Sequence, residues 1–171
     1  MDKASAVYPN RPAGINLNLL IIEPLRRCHM DMPNTVQGEE PVVRIFLVDD
    51  NAMIRSQLRA LLERHNKWVV VGEAADGRTA IKKWGENPPN ITLMDFVMPE
   101  MNGLETAKEL SKQHPDAPIL MVTVDPSNEL MSEAKKAGIR GLCKKSDLKS
   151  VLAAIEALLS GRTYFPRTAA A

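Results

Sequence analysis

The sequence predicts an α/β fold in which five parallel strands form one sheet, with helices covering both of its faces. Between residues 42 and 161, five short apolar runs alternate with five segments in which apolar residues recur at the helical spacing. Acidic, hydroxyl or basic side chains stand at or directly after the ends of four of these runs. Regular alternation favours a parallel sheet, since each helix returns the chain to the edge where the strands begin.

The first half of this region contains two strands and two helices. The first apolar run is rich in β-branched residues, which suits a strand buried on both faces. Asp76 can cap the second helix, and Pro88-Pro89 ends it. The elements are, in order, a strand at 42–48, a helix with the apolar face Ile54, Leu58, Leu61 and Leu62, a strand at 68–72, and a helix carrying Ala80, Ile81 and Trp84.

The second half contains three strands and three helices. Gly138 and Gly161 follow two of the helices, where glycine often ends a helix. Asn102-Gly103 is a turn signal whose glycine can adopt a positive φ. The elements are, in order, a strand at 91–95, a helix near 104–113, a strand at 118–123, a helix from about 126 to 137, a strand at 141–144, and a helix carrying Leu148, Val151, Leu152, Ile155 and Leu158.

The composition of the chain changes near residue 41. Residues 1–41 are rich in proline and show no sustained period, which predicts an irregular extension in which 15–22 could form a short docked strand or helix. Met30 or Met32 could instead be the true first residue, which would remove the extension from the protein. We therefore predict an extension at 1–41, one domain at 42–165 and a short tail at 166–171.

The overall composition is that of a globular protein without a charge bias. The 22 basic residues balance 21 acidic ones, which argues against a basic arm that binds nucleic acid. No apolar run approaches the length of a membrane span, and the first 30 residues do not have the pattern of a signal peptide. Cys28 and Cys143 match neither a zinc site nor a disulfide framework. We expect a cytoplasmic protein without direct contact to membranes or nucleic acid.

Polar side chains at the predicted strand ends point to a cation site. Because the carboxyl ends of parallel strands meet at one edge, where open α/β sheets bind ligands, we expect these side chains to converge. Neighbouring carboxylates repel one another unless a cation lies among them, and oxygen ligands alone favour Mg²⁺. The alternative is that each aspartate merely begins a turn or helix. The residues concerned are Asp49, Asp50, Asp95, Thr123, Lys144 and Lys145.

These residues resemble the motifs of the receiver domain of two-component response regulators. The resemblance covers about 42–160 and implies a flavodoxin-like (βα)5 fold with the strand order 2-1-3-4-5. It also implies a protein that signals in its phosphorylated form. The matching segments, in order, are Leu47-Val48-Asp49-Asp50, the stretch from Met94 to Gly103, Thr123, and the stretch from Gly138 to Lys145.

The resemblance implies roles for the carboxylates. Asp95 would be the phosphoacceptor, whose carboxylate attacks a phosphohistidine and forms an acyl phosphate. Asp50 would be the principal Mg²⁺ ligand, with Asp49 supporting it directly or through water. Asp95 and the backbone carbonyl of Val97 would complete the ligands that the protein supplies.

The resemblance also implies roles for the basic and hydroxyl side chains. The family pattern places its lysine four residues after the glycine at 141, which selects Lys145 over Lys144. Lys145 would neutralise one phosphoryl oxygen, and Thr123 would donate a hydrogen bond to another. Phosphoryl transfer needs such compensation of charge together with alignment of the reacting groups.

Three positions depart from common family patterns. Leu142 stands where many members carry an aromatic switch residue, so ring reorientation cannot report phosphorylation here. Val124 stands where a small residue is common and could crowd the phosphoryl pocket. Ser146 replaces a common proline and offers a hydroxyl that could cap the last helix. These departures concern the output of the signal and leave the acceptor chemistry intact.

We expect a single-domain response regulator that takes a phosphoryl group from a histidine kinase or phosphotransfer protein and signals through protein contacts. It would be a phosphoacceptor with its own Mg²⁺-dependent phosphorylation chemistry rather than a classical enzyme, and it could form a homodimer. One alternative is the receiver of a DNA-binding helix-turn-helix regulator without its output domain, because residues 161–166 resemble the end of such receivers. The other alternative is a Mg²⁺-dependent phosphohydrolase, although Val97 cannot act as its second acid–base carboxylate.

Overall fold

The computed structural model describes residues 42–166. The predictions for residues 1–41 and for the tail beyond residue 166 lie outside the described residues. Strands and helices alternate strictly. The elements are β1 (Val43–Val48), α1 (Ala52–Leu62), β2 (Trp68–Ala74), α2 (Gly77–Trp84), β3 (Ile91–Asp95), α3 (Gly103–Gln113), β4 (Ile119–Thr123), α4 (Asn128–Lys136), β5 (Gly141–Lys144) and α5 (Leu148–Leu159).

The five strands form one sheet in the order β2-β1-β3-β4-β5. All four pairings are parallel, so every strand ends at the same edge. The predicted α/β class and the strand order 2-1-3-4-5 are confirmed. No helix within residues 42–166 combines the length and apolar character that a membrane crossing requires.

The core lies in two layers, one on each face of the sheet. Alternate residues of β1 point to opposite faces, so Phe46 and Val48 join the layer under α2, α3 and α4. Ile45 and Leu47 join the layer under α1 and α5. Burial on both faces explains why the strands read as continuous apolar runs in the sequence.

Side-chain caps fix the starts of the helices. Asp76 caps α2 as predicted, and its carboxylate accepts a hydrogen bond from the backbone N–H of Thr79 (2.8 Å). The helix predicted from about residue 126 begins at Asn128, because Ser127 is its N-cap. The cap of α5 is Asp147, which accepts from the backbone N–H of Ser150. The suggested capping role of Ser146 is therefore wrong, since the carboxylate of the next residue takes that place.

Gly103 is required for a different reason from the predicted one. It is the first residue of α3, and the positive φ of this loop belongs to Glu100 (62°). A Cβ atom at Gly103 would lie 2.0 Å from the backbone oxygen of Asp95, and real Cβ atoms do not approach so closely. The start of α3 thus packs directly on the end of β3, which a side chain at Gly103 would prevent.

Candidate functional site

The fold brings four strand ends together at one edge of the sheet. Asp49 directly follows β1, Asp95 ends β3, Thr123 ends β4, and Lys145 directly follows β5. Backbone hydrogen bonds tie these ends to their neighbours, from Asp49 N–H to the carbonyl of Ala74 (3.2 Å) and from Lys145 N–H to that of Thr123 (2.7 Å). The sheet itself therefore positions the predicted site residues.

Three carboxylates form a cluster at this edge. One oxygen from each of Asp49, Asp50 and Asp95 lies within 4.8 Å of the others. Asp49 and Asp95 are only 2% and 5% exposed, whereas Asp50 is exposed at the rim. Two carboxylates therefore form the floor of the cluster, and the third faces solvent.

Lys145 joins the two buried carboxylates. Its Nζ lies 2.7 Å from Asp95 Oδ2 and 2.6 Å from Asp49 Oδ2. Lys144, the other member of the tandem pair, is exposed at the end of β5. Of the two lysines, the structure thus brings Lys145 to the carboxylates.

Burial and local charge shift the pKa values of Lys145 and Asp95. Burial alone would lower the pKa of Lys145, but its hydrogen bonds to Asp49 and Asp95 outweigh burial and raise that pKa. Burial raises the pKa of the Asp95 carboxyl, and the neighbouring Asp49 charge raises it further, while Lys145 opposes both. Lys145 therefore remains an ammonium, and Asp95 lies in a site with an excess of negative charge.

The cluster fits a hard divalent cation. Three carboxylates and one ammonium leave two negative charges without compensation, which matches the charge of Mg²⁺. The residues that converge within 42–166 offer oxygen ligands and no sulfur or imidazole ligand, as Mg²⁺ prefers. Partial exposure of the cluster leaves room for the water ligands that Mg²⁺ retains.

Thr123 and Val97 flank the carboxylates. Thr123 is buried, and no other group within 42–166 forms a hydrogen bond with its hydroxyl, so this hydroxyl is free to donate to a ligand. The backbone N–H of Val97 bonds to the Asp95 carboxylate and acts to lower its pKa. The Val97 side chain is 64% exposed and places no polar group beside Asp95.

A shallow apolar groove adjoins the carboxylates on the side of Lys145. It has a volume of about 300 Å³ and lies between α1 and the loops that follow β4 and β5. Val124 is exposed in this groove, so the residue expected to crowd the phosphoryl pocket contributes to an open surface. The apolar side chains that line the groove are Ile54, Leu58, Val124 and Leu148.

Cys143 lies in β5 and is buried, close to the site in sequence but inside the core. Burial, with a smaller contribution from the charge of Asp147, raises the pKa of its thiol to about 12. The thiol therefore stays protonated and is a poor nucleophile at neutral pH. Cys143 serves as a small core residue.

Sequence reasoning missed two residues that hold the carboxylate cluster. The side chain of Arg55 donates a hydrogen bond to the backbone carbonyl of Asp49. The backbone N–H of Asn51 donates to Asp49 Oδ1 (2.9 Å), and the Asn51 side chain caps α1. The available signals were an asparagine directly before a predicted helix and a basic residue one turn into it.

Comparison with known proteins agrees with this geometry. Residues 45–156 match the family model of the response regulator receiver domain. The chain belongs to this family. The proteins of this family are signalling components of two-component systems, and the predicted resemblance is thereby confirmed.

Individual relatives cover different shares of the chain. The receiver is 34% identical to the transcriptional regulatory protein YdfI of Bacillus subtilis, over 69% of this chain and 55% of that protein. It is 37% identical to the chemotaxis protein CheY of Thermotoga maritima, over 60% of this chain and 84% of that protein. A solved LuxR-family response regulator from Aurantimonas superposes with a TM-score of 0.70 at 35% identity, covering 72% of this chain and 89% of the solved one. The chain thus spans little more than half the length of YdfI.

Proposed function

We propose that this receiver accepts a phosphoryl group from a phosphohistidine on Asp95, with Mg²⁺, and that the phosphorylated form signals through protein contacts. The observation that carries the proposal is the environment of the Asp95 carboxylate. It is buried at the sheet edge close to two further aspartates, with the Lys145 ammonium 2.7 Å away. The partner that delivers the phosphoryl group would be a histidine kinase or phosphotransfer protein, and the setting would be the cytoplasm.

The chemistry follows from the positions of these groups. A carboxylate oxygen of Asp95 attacks the phosphorus, and the phosphorus–nitrogen bond to the histidine breaks, leaving its electron pair on the imidazole. Lys145 can shift its donation from the carboxylates to a phosphoryl oxygen, and the free hydroxyl of Thr123 can donate to another. The sheet already places both donors at this edge, so only side-chain contacts need to change as charge develops.

The proposed metal site is built by the same residues. Asp49, Asp50, Asp95 and the backbone carbonyl of Val97 would hold Mg²⁺, which supplies positive charge against the oxygens of the transferred group. Asp50 is the exposed member of the cluster. It can therefore bind the ion while Lys145 remains bonded to Asp49 and Asp95.

Replacing Asp50 with asparagine tests this site. We expect the affinity for Mg²⁺ to fall at least about tenfold, roughly 1.4 kcal/mol, because one charge leaves a hard-cation site. Calorimetric titration with MgCl₂ at constant ionic strength measures the change. The matched control is Asp116→Asn, which removes the same charge from the turn before β4, at the opposite edge of the sheet. Equal affinity in Asp50→Asn and wild type would remove Asp50 from the ligand set.

The lifetime of the acyl phosphate depends on a water molecule in line with the phosphorus. Val97 stands two residues after Asp95, and its exposed side chain offers no polar group to orient such a water. We therefore expect slow decay in the wild type and decay several-fold faster in Val97→Asn, equivalent to about 1 kcal/mol of barrier. The measurement is the loss of phosphorylated protein with time in excess Mg²⁺ without a kinase. The control is Val42→Asn, at an exposed valine just before β1, whose acyl phosphate should decay at the wild-type rate. A wild-type decay rate in Val97→Asn would show that another position controls the access of water to the phosphorus.

A second candidate function is the regulatory domain of a DNA-binding regulator. It is favoured by two relatives, since YdfI is a transcriptional regulatory protein and the Aurantimonas structure is of the LuxR family. The acceptor chemistry would be the same, but the phosphorylated receiver would act on an attached domain. Sequencing the coding region beyond Ala171 separates the two candidates. An in-frame helix-turn-helix segment would favour the second, and a stop codon there would favour the first.

A further inference from the structure

Arg55 links three elements beside the carboxylate cluster. Its Nη1 donates a hydrogen bond to the backbone carbonyl of Asp49, and its Nε lies 3.4 Å from Glu73 Oε2 near the end of β2. The Arg55 side chain is only 16% exposed, so its charge is largely removed from water. Such a guanidinium needs fixed partners, and here it has one directly after β1 and one near the end of β2.

Glu73 is itself held from a second side. Arg59, one turn further along α1, donates from Nε to Glu73 Oε1 at 2.6 Å. This hydrogen bond is also the largest cause of a raised Arg59 pKa. The two arginines therefore fix both oxygens of Glu73, and Glu73 in turn fixes the guanidinium of Arg55. Of Arg55, Arg59 and Glu73, only Arg55 also forms a hydrogen bond with a residue of the carboxylate cluster.

Asp49 and Asp50 differ in how they are held. Each polar group of Asp49 has a partner, because its N–H bonds to Ala74, its side-chain oxygens bond to Asn51 and Lys145, and its carbonyl bonds to Arg55. Within residues 42–166, no hydrogen bond or ion pair holds the side chain of Asp50. The position of Asp50 therefore depends on its backbone.

The carbonyl that Arg55 holds belongs to the peptide group that joins Asp49 to Asp50. A peptide group is planar, so fixing its oxygen also fixes the direction in which the chain enters Asp50. We propose that Arg55 is a positioning residue, which orients the Asp49–Asp50 peptide and thereby aims the Asp50 carboxylate into the cation site. The inference rests on the proposed function for the role of Asp50 as a Mg²⁺ ligand.

Charge and position predict opposite effects when Arg55 is replaced. A cation close to a Mg²⁺ site repels the ion, so removal of the Arg55 charge alone would strengthen Mg²⁺ binding. Loss of a group that orients a ligand weakens metal binding, commonly by tenfold or more. The sign of the change therefore distinguishes a positioning role from a purely electrostatic one.

The test compares Mg²⁺ affinity in four variants of the full chain by calorimetry at constant ionic strength. Arg55→Met removes the donor, while Glu73 keeps Arg59, and we expect affinity to fall about tenfold. Arg55→Lys keeps the charge but replaces the planar fork by one ammonium, and we expect weaker binding here too. Arg59→Met is the matched control, because it removes the same charge from α1 without touching Asp49. Asp50→Asn reports on the proposed ligand itself.

The outcomes separate the inference from the proposed function. Weaker binding in both Arg55 variants, with Arg59→Met like wild type, supports the positioning role. Unchanged or tighter binding in Arg55→Met, while Asp50→Asn binds weakly, overturns the inference and leaves the proposed function standing. Equal losses in Arg55→Met and Arg59→Met also overturn it, since the effect would belong to α1 as a whole. Unchanged affinity in Asp50→Asn overturns the metal assignment and the inference with it.

A folding control accompanies these titrations. Far-ultraviolet circular dichroism and thermal unfolding show which variants keep the native fold. Should Arg55→Met unfold, Arg55→Lys decides the question alone, because it retains a charged partner for Glu73. Weakened Mg²⁺ binding in a folded Arg55→Lys protein supports the inference, and wild-type binding overturns it.

Discussion

Asp95→Asn is expected to abolish labelling of the protein by a small phosphodonor such as acetyl phosphate. An amide is a poor nucleophile and cannot form the acyl phosphate that a carboxylate forms. The fold should survive, because asparagine has nearly the same shape and can still accept the hydrogen bond from Lys145. Intact-mass measurement after incubation with donor and Mg²⁺ should show the phosphate adduct in wild type and not in the variant.

The control for this experiment is Asp125→Asn. Asp125 is an exposed carboxylate in the loop after β4, on the same side of the sheet as the cluster. Its replacement makes the same change in mass and charge without touching Asp95, so the adduct should persist. A phosphate adduct of undiminished yield in Asp95→Asn would place the acceptor at another residue.

Gly103→Ala should have the largest effect on stability among the substitutions considered. A Cβ atom there would lie 2.0 Å from the backbone oxygen of Asp95 and 3.1 Å from the Cα of Phe96. Backbone atoms cannot rotate away as a side chain can, so either α3 or the end of β3 must shift. We expect a loss of about 3 kcal/mol in the free energy of unfolding, at the upper end of overpacking effects.

Urea unfolding of Gly103→Ala and Gly85→Ala measures this effect against a matched glycine. Gly85 has an ordinary helical φ of −71°, and a Cβ atom there would meet nothing within 4 Å. Gly85→Ala should therefore be neutral or slightly stabilising. Since the clash in Gly103→Ala displaces Asp95 itself, that variant should also be labelled more slowly by acetyl phosphate. Equal stability of the two variants would contradict this expectation, because it would show that α3 can move away from the end of β3 at little cost in free energy.

The fold could be predicted from the sequence because its local signals agree. Strands buried on both faces read as apolar runs, and the helices between them show their own period. The strand order followed from the family resemblance, since apolar runs alone do not say which strands are neighbours. Two element boundaries differ from the prediction. Ser127 rather than Pro126 precedes α4, and β2 continues to Ala74 because it pairs along the whole of β1.

The converging side chains were also predictable, since parallel strands end at one edge. Asp49, Asp95, Thr123 and Lys145 reach that edge through the backbone pairing of their strands. The chemical role of each residue remains a prediction that the experiments above address. The tandem lysines show the limit of periodicity, because only the family spacing distinguished Lys145 from Lys144.

Contacts between distant segments could not be read from the sequence. Arg55 and Glu73 are 18 positions apart, and nothing in their local sequence patterns predicts that the two side chains are in contact. The need for glycine at 103 likewise comes from a backbone eight residues earlier, at Asp95. Turn propensity suggested a positive φ at Gly103, while the observed positive φ falls on Glu100, a residue type without that preference.

The most direct test of the central claim is to locate the phosphoryl group on the wild-type protein. The protein is incubated with Mg²⁺ and acetyl phosphate, and borohydride then reduces any acyl phosphate to the alcohol, which converts the labelled aspartate to homoserine. Peptide mass spectrometry after digestion identifies the converted position. The proposed function predicts homoserine at position 95 alone, and none when Mg²⁺ is chelated. Homoserine at another aspartate, or equal conversion without Mg²⁺, would contradict it.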